Sequence, residues 1–461
     1  MAIRMTHDDL GRFGDARLEK VGAALLAAMR QSPTMCLHAL AKDRNQTIQF
    51  GRFLDNDAVS AEEMLTRAGQ LTGARVAGRH VLAIQDTTEV SFAAHAASKR
   101  GFGTAGNGRD LGLFLHPLLA VDAAHGGVIG LVGAQVLNRT AGLVADHKGR
   151  PADHKESRRW LAGAETAGEV LAEAAMITVV GDRESDIYDQ FARRPDNVHL
   201  LTRAAQDRTL EGGARLFDEV AAWEVRSCDR IEVPPRGPRA ARVATVALRF
   251  GEVVLRRPAA AARSLAATVR LRVVDVVETD PPEGEAAVHW CLLSTHAVGD
   301  VAQARAIVGW YRSRWTIEQV FRTLKTAGAR IEDSQMIGVK AFVKLAVTAL
   351  IAAVRIMQIV LARDGTTAQS LADAADPLDI PALEAINASL EGRTEKLRNP
   401  HPATTLAWLS WIVGRLGGWA GYASKGYKPA GPKTVHRGLI RLDGMISGWH
   451  LANHSAHVRL P

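Results

Sequence analysis

Residues 311–325 read YRSRWTIEQVFRTLK, and the rest of the chain is organised around this stretch. It contains neither Gly nor Pro, and its mixture of Ile, Glu, Gln, Arg, Leu and Lys favours a helix. At about 100° per residue, a polar stripe would lie beside an apolar stripe. The polar stripe comprises Tyr311, Arg314, Glu318 and Lys325, and the apolar stripe comprises Ile317, Val320, Phe321 and Leu324. The pattern predicts one helix that packs on a core and presents a carboxylate among cations.

The polar stripe allows two interpretations. A carboxylate among cations stays ionised, so Glu318 could bind a hard metal ion while the neighbouring cations grip a phosphate group. The alternative is a solvated helix face with ordinary charge pairs four residues apart. Glu318 alone does not decide between them, and a metal site would need further acids upstream.

Two apolar runs upstream each end in an aspartate. Residues 81–86 read VLAIQD, and residues 177–182 read ITVVGD. Short apolar runs of this kind predict buried strands, and strand ends beside helices are a usual place for a site in α/β sheets. Taken singly, Asp86 or Asp182 is more often a cap or a solvated turn residue. Asp86 and Asp182 together, with Glu318 further along the chain, favour a functional site.

The remaining pattern predicts an α/β fold. An Ala-rich helix is expected over residues 155–176, and residues 204–288 read as a small antiparallel β insertion with a basic turn at 234–239. A buried core helix is expected over residues 342–361, because Lys344 and Arg355 interrupt its apolar run. Further strands are predicted at residues 113–122, 128–137, 198–203, 243–250, 269–277 and 290–294.

The spacing Y-x2-R-x3-E-x6-K from Tyr311 to Lys325 resembles the Y-R-E-K signature of bacterial insertion-sequence transposases of the DDE class. The sequence Asp182-Arg-Glu-Ser-Asp186 is similar to the D-R-E-A-D segment of that family, with Ser185 in place of Ala. Asp86-Thr-Thr is similar to its first-acid segment. The resemblance extends over most of the chain and is to the transposon-five, cut-and-paste type.

This resemblance implies a ribonuclease H-like catalytic core, in which Asp86, Asp182 and Glu318 are the catalytic and metal-binding acids. Phosphodiester cleavage needs an activated attacking oxygen and a stabilised leaving oxygen, which two divalent ions can supply. Mg²⁺ is the expected ion, and Mn²⁺ is a plausible substitute. The implied reaction is cleavage at element ends, a hairpin intermediate, and transfer of a 3′-OH into target DNA.

The resemblance also implies DNA-binding residues. Tyr311, Arg314 and Lys325 match residues that hold the phosphate beside a flipped base, and Arg322 is expected to contact DNA from the same helix. Trp290 falls where the family places a tryptophan that fills the vacated stack. The alternative for Trp290 is a core aromatic residue at the start of a strand.

Three domains are expected. Residues 1–75 form a helical DNA-binding domain, residues 76–365 the catalytic domain, and residues 366–461 a helical dimerisation domain. In the first domain Arg44 and Arg52 could reach phosphates, although ordinary surface charge explains them equally well. The last helix could instead close its own domain. The implied partners are transposon-end DNA, target DNA and a second copy of the chain, which forms a homodimer in a DNA-bridged complex.

Composition agrees with a soluble DNA-binding protein. The 461 residues are 47% hydrophobic and 23% charged, with a formal net charge of +8. Residues 390–461 hold ten Lys/Arg against three Asp/Glu, whereas residues 1–70 hold nine of each. Basic excess favours a polyanionic partner. Three scattered cysteines form no zinc or disulfide pattern, and the first ten residues lack the apolar run of a signal peptide, so a cytoplasmic location is expected.

Two other functions fit the same residues. The chain could be a catalytically silent, dimerising inhibitor that binds DNA, although the presence of all three acids argues against decay. It could also be another ribonuclease H-like nuclease, such as a junction resolvase. The Y-R-E-K spacing and the β insertion argue against that alternative.

Overall fold

A computed structural model of the chain describes residues 9–92, 97–106, 108–140, 156–233, 240–325, 328–422 and 429–455. It divides into two compact units. The first unit comprises Met1–Ala77, Thr87–Leu143 and Thr316–Pro461, and the second comprises Gly78–Asp86 and Val144–Trp315. The division into domains at residues 75 and 365 stays a prediction, and the turn at 234–239 lies outside the described residues.

The strands and helices follow the chain in this order. The strands are β1 (His80–Gln85), β2 (Thr88–Ser91), β3 (Gly103–Thr104), β4 (Leu111–Asp122), β5 (Val128–Leu137), β6 (Met176–Gly181), β7 (Val198–Arg203), β8 (Ser227–Val233), β9 (Arg242–Arg256), β10 (Thr268–Glu278) and β11 (His289–Ser294). The helices are α1 (Ala16–Gln31), α2 (Leu37–Leu40), α3 (Arg44–Asp55), α4 (Ala61–Gly73), α5 (Arg158–Val170), α6 (Tyr188–Arg193), α7 (Leu216–Ala221), α8 (Val301–Arg312), α9 (Trp315–Lys325), α10 (Val339–Ala362), α11 (Ile380–Leu390), α12 (Leu406–Leu416) and α13 (Pro432–Ser455).

The second unit is built on a mixed sheet with the strand order β1-β6-β7-β11-β10-β9-β8. Strands β1, β6 and β7 are parallel, and β11, β10, β9 and β8 pair antiparallel. Parallel strands need a crossover connection, and α6 lies in the connection between β6 and β7. Nearly every residue of β1 and β6 is buried, as their continuous apolar sequences require. The α/β class predicted from sequence is therefore confirmed.

The first unit packs helices against an antiparallel sheet. Strands β2, β3 and β5 each pair with β4, and α4 and α10 contact β5. Helix α4 begins at Ser60, whose hydroxyl accepts a hydrogen bond from the Glu63 amide at 3.0 Å, as its sequence predicted. Most of the predicted strands are confirmed within a few residues, whereas the pattern gave no sign of β2, β3 or β8.

Helix α10 is the core helix predicted over residues 342–361. By length and apolar composition it could cross a membrane, but 89% of its most apolar 18-residue window is buried inside the protein. It contacts α1, α3, α4 and α12 within the first unit. These contacts confirm the prediction of a buried core helix.

The single helix predicted over residues 311–325 is wrong. Helix α8 ends at Arg312 and α9 begins at Trp315. Between them the Arg314 amide donates to the Tyr311 carbonyl at 3.1 Å, a tighter turn than that of an α-helix. Every residue here is helix-permissive, so propensity could not reveal the break. The four polar residues therefore do not form one helical stripe.

Lys344 is a buried cation on α10. Its Nζ donates to the carbonyl oxygens of Leu54 at 2.8 Å and Asn56 at 2.7 Å, which end α3 and would otherwise lack helical partners. Burial lowers the pKa of this lysine. The side chain thereby fastens the end of α3 to the core helix.

We expect Lys344→Met to lower the free energy of unfolding by about 1–3 kcal/mol, because the buried Leu54 carbonyl loses its side-chain donor. Urea unfolding measures this loss. Lys340→Met is the matched control on the same helix, since the Lys340 side chain is 85% exposed, and it should stay within about 0.5 kcal/mol of the parent. Equal effects of the two substitutions would contradict the capping role.

Three histidines cluster on the sheet of the second unit. Thr178, which is fully buried, contacts His80 Nε2 at 2.8 Å and His296 Nε2 at 2.7 Å through its hydroxyl. The His199 and His296 rings stack with centroids 4.0 Å apart. Burial, followed by the charges of His199, His80 and Arg194, lowers the pKa of His296 to about 3. Burial also lowers the pKa of His199.

We expect the second unit to lose stability as the pH falls from about 6.5 towards 3. In this range an unfolded histidine binds a proton that folded His296 does not, so each such group costs up to about 1.4 kcal/mol per pH unit. His296→Gln should reduce this dependence, as measured by urea unfolding at several pH values. His38→Gln, at an exposed histidine, should leave it unchanged. An unaltered pH slope in His296→Gln would contradict this explanation.

Candidate active site

Asp86 and Asp182 lie side by side at one edge of the sheet. Strands β1 and β6 pair in parallel with His80 opposite Met176 and Ile84 opposite Val180. Asp86 and Asp182 each directly follow the last residue of their strand, so a continuation of this register would bring the two aspartates opposite each other. Neighbouring strands lie about 4.8 Å apart. The fold thus brings two carboxylates, 96 residues apart in sequence, to adjacent positions at the carboxyl edge, as the sequence predicted.

Helix α5 supports the strand end that carries Asp86. A Cβ atom at Gly163 would lie 2.1 Å from the Gln85 amide oxygen, so only glycine permits this approach. The Gln85 amide nitrogen donates to the Trp160 carbonyl at 3.2 Å. Since Gln85 is fully buried, α5 fixes the residue that precedes the first aspartate.

Asp182 is held by its own backbone surroundings. Its Oδ1 accepts a hydrogen bond from the Glu184 amide at 2.9 Å and caps a short 3₁₀ turn, Arg183–Ser185. The hydroxyls of Ser185 and Thr202 donate to the Asp182 carbonyl at 2.7 and 2.8 Å. Ser185, which replaces the alanine of the resembling segment, thus adds a hydrogen bond at the second acid.

Asp186 and Arg208 form a buried ion pair that sequence reasoning missed. Asp186 Oδ1 accepts from Arg208 Nε at 2.8 Å and Nη2 at 2.7 Å, and Oδ2 accepts from the amides of Ala205 and Gln206. The Asp186 side chain is wholly inaccessible to solvent. The pair anchors the loop after β7 to the segment that carries Asp182. No sequence spacing joins these residues, because they meet only through the fold.

Arg314 pairs directly with the first aspartate. From the turn between α8 and α9, its Nη1 donates to Asp86 Oδ2 at 2.7 Å, and both side chains are mostly buried. The sequence predicted Arg314 as a phosphate-binding residue. In the structure this cation forms an ion pair with a predicted metal-binding acid.

Tyr311 joins the aromatic and cationic parts of the edge. It is buried, and burial raises the pKa of its hydroxyl. The nearby charges of Arg314 and Arg203 act in the opposite direction and lower the pKa of this hydroxyl. The Trp290 ring packs edge-on against the Tyr311 ring, with centroids 5.7 Å apart. Tyr311, Arg314 and Trp290 are therefore neighbours in the second unit.

Arg203 was not among the predicted site residues. It ends β7, and the parallel register in which Gly181 lies opposite Thr202 brings it opposite Asp182 at the next position. Like Asp86 and Asp182, Arg203 is a charged residue at the end of an apolar run, and this sequence pattern could have identified it. Only acidic residues with this pattern were predicted as site residues.

The other predicted residues belong to the first unit. Glu318 lies on the first turn of α9 and is partly exposed, and Arg322 on the same helix is exposed. Lys325 Nζ pairs with Glu332 Oε1 at 3.2 Å. Ile317, Val320, Phe321 and Leu324 are buried, so the apolar stripe of this helix is confirmed. The shared role of Glu318 with the two aspartates stays a prediction.

Arg44 and Arg52 both lie on α3 of the first unit. Both side chains are exposed. At eight residues apart on one helix, they lie roughly 80° apart around its axis, so they are accessible from the same side. Their contact with DNA stays a prediction.

The adjacent aspartates fit a divalent cation. Carboxylate oxygens are hard ligands of the kind that Mg²⁺ and Mn²⁺ take, and Asp86 and Asp182 offer four such oxygens at one edge. Within the described ranges, no group of three or more His, Cys, Asp or Glu side chains is assembled for metal binding. Asp86 and Asp182 are therefore two candidate carboxylate ligands within the second unit.

A mixed α/β sheet whose parallel strands lead into two aspartates, with arginines nearby, has the features of an enzyme that acts on phosphodiesters. Residues 77–355 match the family model described as a transposase DDE domain, which is more than half of the chain. The chain belongs to this family of insertion-sequence DDE transposases. The family match supports a transposase function that uses divalent metal ions and implies binding to transposon DNA.

We expect Asp186→Asn to destabilise the second unit by about 3–5 kcal/mol, because Arg208 would stay buried without its counter-charge. Urea unfolding measures the change. Asp196→Asn, at an exposed aspartate of the same unit, should be nearly neutral. Adding Arg208→Met to Asp186→Asn should recover part of the loss. A double variant that is no more stable than Asp186→Asn would show that the pair is not the cause.

Proposed function

We propose that this chain is an active cut-and-paste transposase of the transposon-five type. Its catalytic acids are Asp86, Asp182 and Glu318 in a ribonuclease H-like core. The observation that carries the proposal is the parallel register of β1 and β6, which makes Asp86 and Asp182 neighbours inside a transposase DDE domain. Glu318 is the third acid because its spacing from Tyr311, Arg314 and Lys325 matches the Y-R-E-K signature.

Asp86 would hold both of two Mg²⁺ ions, and Asp182 and Glu318 would each complete one site, with Mn²⁺ as a substitute. Bound divalent ions activate an attacking oxygen and stabilise a leaving oxygen during phosphoryl transfer. The buried Gln85 and the turn at Asp182 keep the two aspartates in place before any cation arrives. Such preorganisation spares the cost of ordering these ligands during the reaction.

Two ion pairs have to open when DNA binds. Arg314 pairs with Asp86, and Lys325 pairs with Glu332. If Asp86 held a divalent cation in place of Arg314, the Arg314 guanidinium would become available for a phosphate group. Charge-assisted bonds to phosphate are strong enough to replace such a pair. Opening of this ion pair would thus make Asp86 available to a metal ion and Arg314 available to a phosphate group.

The proposed reaction has three stages. Water attacks phosphorus at the element end and breaks the P–O3′ bond, which leaves a 3′-OH on the element and a 5′-phosphate on the flanking DNA. That 3′-OH attacks the opposite strand, forms a hairpin and releases the flanking strand with its own 3′-OH. A second water opens the hairpin and restores the 3′-OH of the element, which then attacks a phosphodiester of the target DNA and releases a target 3′-OH.

The residues around Tyr311 would hold the distorted strand. Hairpin formation requires a sharply bent strand with an extruded base, which costs a few kcal/mol. Tyr311, Arg314 and Lys325 would hold the adjacent phosphate, with Arg322 on the same helix. Trp290, which packs against Tyr311, would fill the vacated stack. Its position at the start of β11 beside Tyr311 supports this role.

The helical parts of the chain would bind DNA and a second subunit. Arg44 and Arg52 on the exposed side of α3 would contact the element end. The basic C-terminal helices would dimerise in a complex that two element ends bridge. The protein would work in the cytoplasm, on the nucleoid.

The test uses duplex DNA from the inverted repeats that flank the coding region, with Mg²⁺. We expect cleavage that leaves a 3′-OH, together with a hairpin product on denaturing gels. Asp86→Ala should reduce cleavage at least about a thousandfold and leave the gel shift unchanged. Because acids of one site act as a unit, Asp86→Ala combined with Glu318→Ala should lose no more than either single variant.

The control is Asp196→Ala, at an exposed aspartate of the second unit, which should cleave like the parent. Normal cleavage by Asp86→Ala would refute the site assignment. A gel shift without metal-dependent cleavage by the parent would favour the inhibitor hypothesis. Cutting of branched DNA regardless of terminal sequence would favour a junction resolvase.

A further inference from the structure

Arg203 is a half-buried cation beside the second acid. It ends β7 directly opposite the position of Asp182 on β6, and its Nη2 donates to the His289 carbonyl on β11. The Tyr311 hydroxyl also interacts with this guanidinium and raises its pKa. These contacts fix the guanidinium at the same edge of the sheet as Asp182, Tyr311 and Trp290.

The guanidinium of Arg203 is held without a counter-charge. Among the described residues, no carboxylate forms an ion pair with it, whereas Arg208 five residues later is paired with buried Asp186. Burial lowers the pKa of Arg203, Tyr311 raises it, and the charges of Arg183 and Arg314 lower it, with a net lowering. A desolvated cation among like charges is costly unless an anion joins it.

The arrangement around Arg203 selects the chemistry of that anion. A guanidinium offers a planar fork of donors that matches the oxygens of a phosphate group. One donor of Arg203 is used by the His289 carbonyl, and the Tyr311 hydroxyl interacts electrostatically with both Arg203 and Arg314. A phosphate group bound at this edge would therefore lie near all three side chains.

We propose that Arg203 binds the phosphate group at the cleavage junction of the DNA strand, as a further phosphate-binding residue beside Tyr311 and Arg314. The identity of the strand rests on the proposed function, but the presence of a phosphate site does not. Unlike Arg314 and Lys325, Arg203 forms no ion pair with a carboxylate in the part of the chain that the structure describes. It is therefore the residue of this edge that is ready to take a phosphate before any cation is bound.

The test measures binding of two end-derived duplexes in EDTA over a range of KCl concentrations. One duplex continues past the cleavage junction, and the other stops before the junction phosphate. On the long duplex, Arg203→Gln should weaken binding and reduce the slope of log Kd against log [KCl] by about 0.9, the value for one phosphate contact. On the short duplex, Arg203→Gln and the parent should have equal slopes.

Two variants separate charge from structure. Arg203→Lys keeps the cation and should keep the slope on the long duplex, although it loses the bidentate geometry and some affinity. Arg312→Gln, at an exposed arginine of α8, should match the parent on both duplexes. Equal loss of slope on both duplexes, or an unchanged slope in Arg203→Gln, would overturn the assignment.

The binding and cleavage readouts are independent. A parent that cleaves, together with an unchanged slope in Arg203→Gln, would overturn the Arg203 site and retain the transposase proposal. A slope loss confined to the long duplex in a parent that does not cleave would retain the Arg203 site and remove the proposed function. A parent that binds neither duplex would overturn both.

Discussion

The parallel register of β1, β6 and β7 is the constraint on which the site depends. A one-residue slip between β1 and β6 would turn Asp86 and Asp182 to opposite faces of the sheet, because side chains alternate along a strand. The slip is opposed by the burial of nearly every residue in both strands. Gly163 and Gln85 lock the end of β1 against α5. The chemistry of the edge is therefore fixed by apolar packing several residues away.

Ion pairs offset the repulsion between like charges at this edge of the sheet. Two adjacent carboxylates repel one another, and a group of arginines does the same. The ion pair between Arg314 and Asp86 relieves one charge of each sign, and the pair between Asp186 and Arg208 anchors the neighbouring loop. The first pair can be exchanged for a cation and a phosphate. The second pair is inaccessible to solvent and serves the fold alone.

The sequence predicted the local features well and the tertiary ones poorly. Apolar runs ending in acids located β1 and β6, because burial of a strand leaves a continuous apolar signature. The apolar stripe of α9 was also found. The break at Ser313 and Arg314 was missed, since propensity carries no information on a turn that tertiary contacts stabilise. Arg203 and the Asp186–Arg208 ion pair were missed because their contacts form only once particular strands become neighbours in the fold.

The most direct test of the account is anomalous scattering from Mn²⁺ in crystals of the chain bound to its element-end DNA. The account predicts two peaks roughly 3.5–4 Å apart, with Asp86 contacting both ions and Asp182 and Glu318 contacting one each. Peaks remote from Asp86 and Asp182, or a pair of ions with Glu318 outside their coordination, would contradict it.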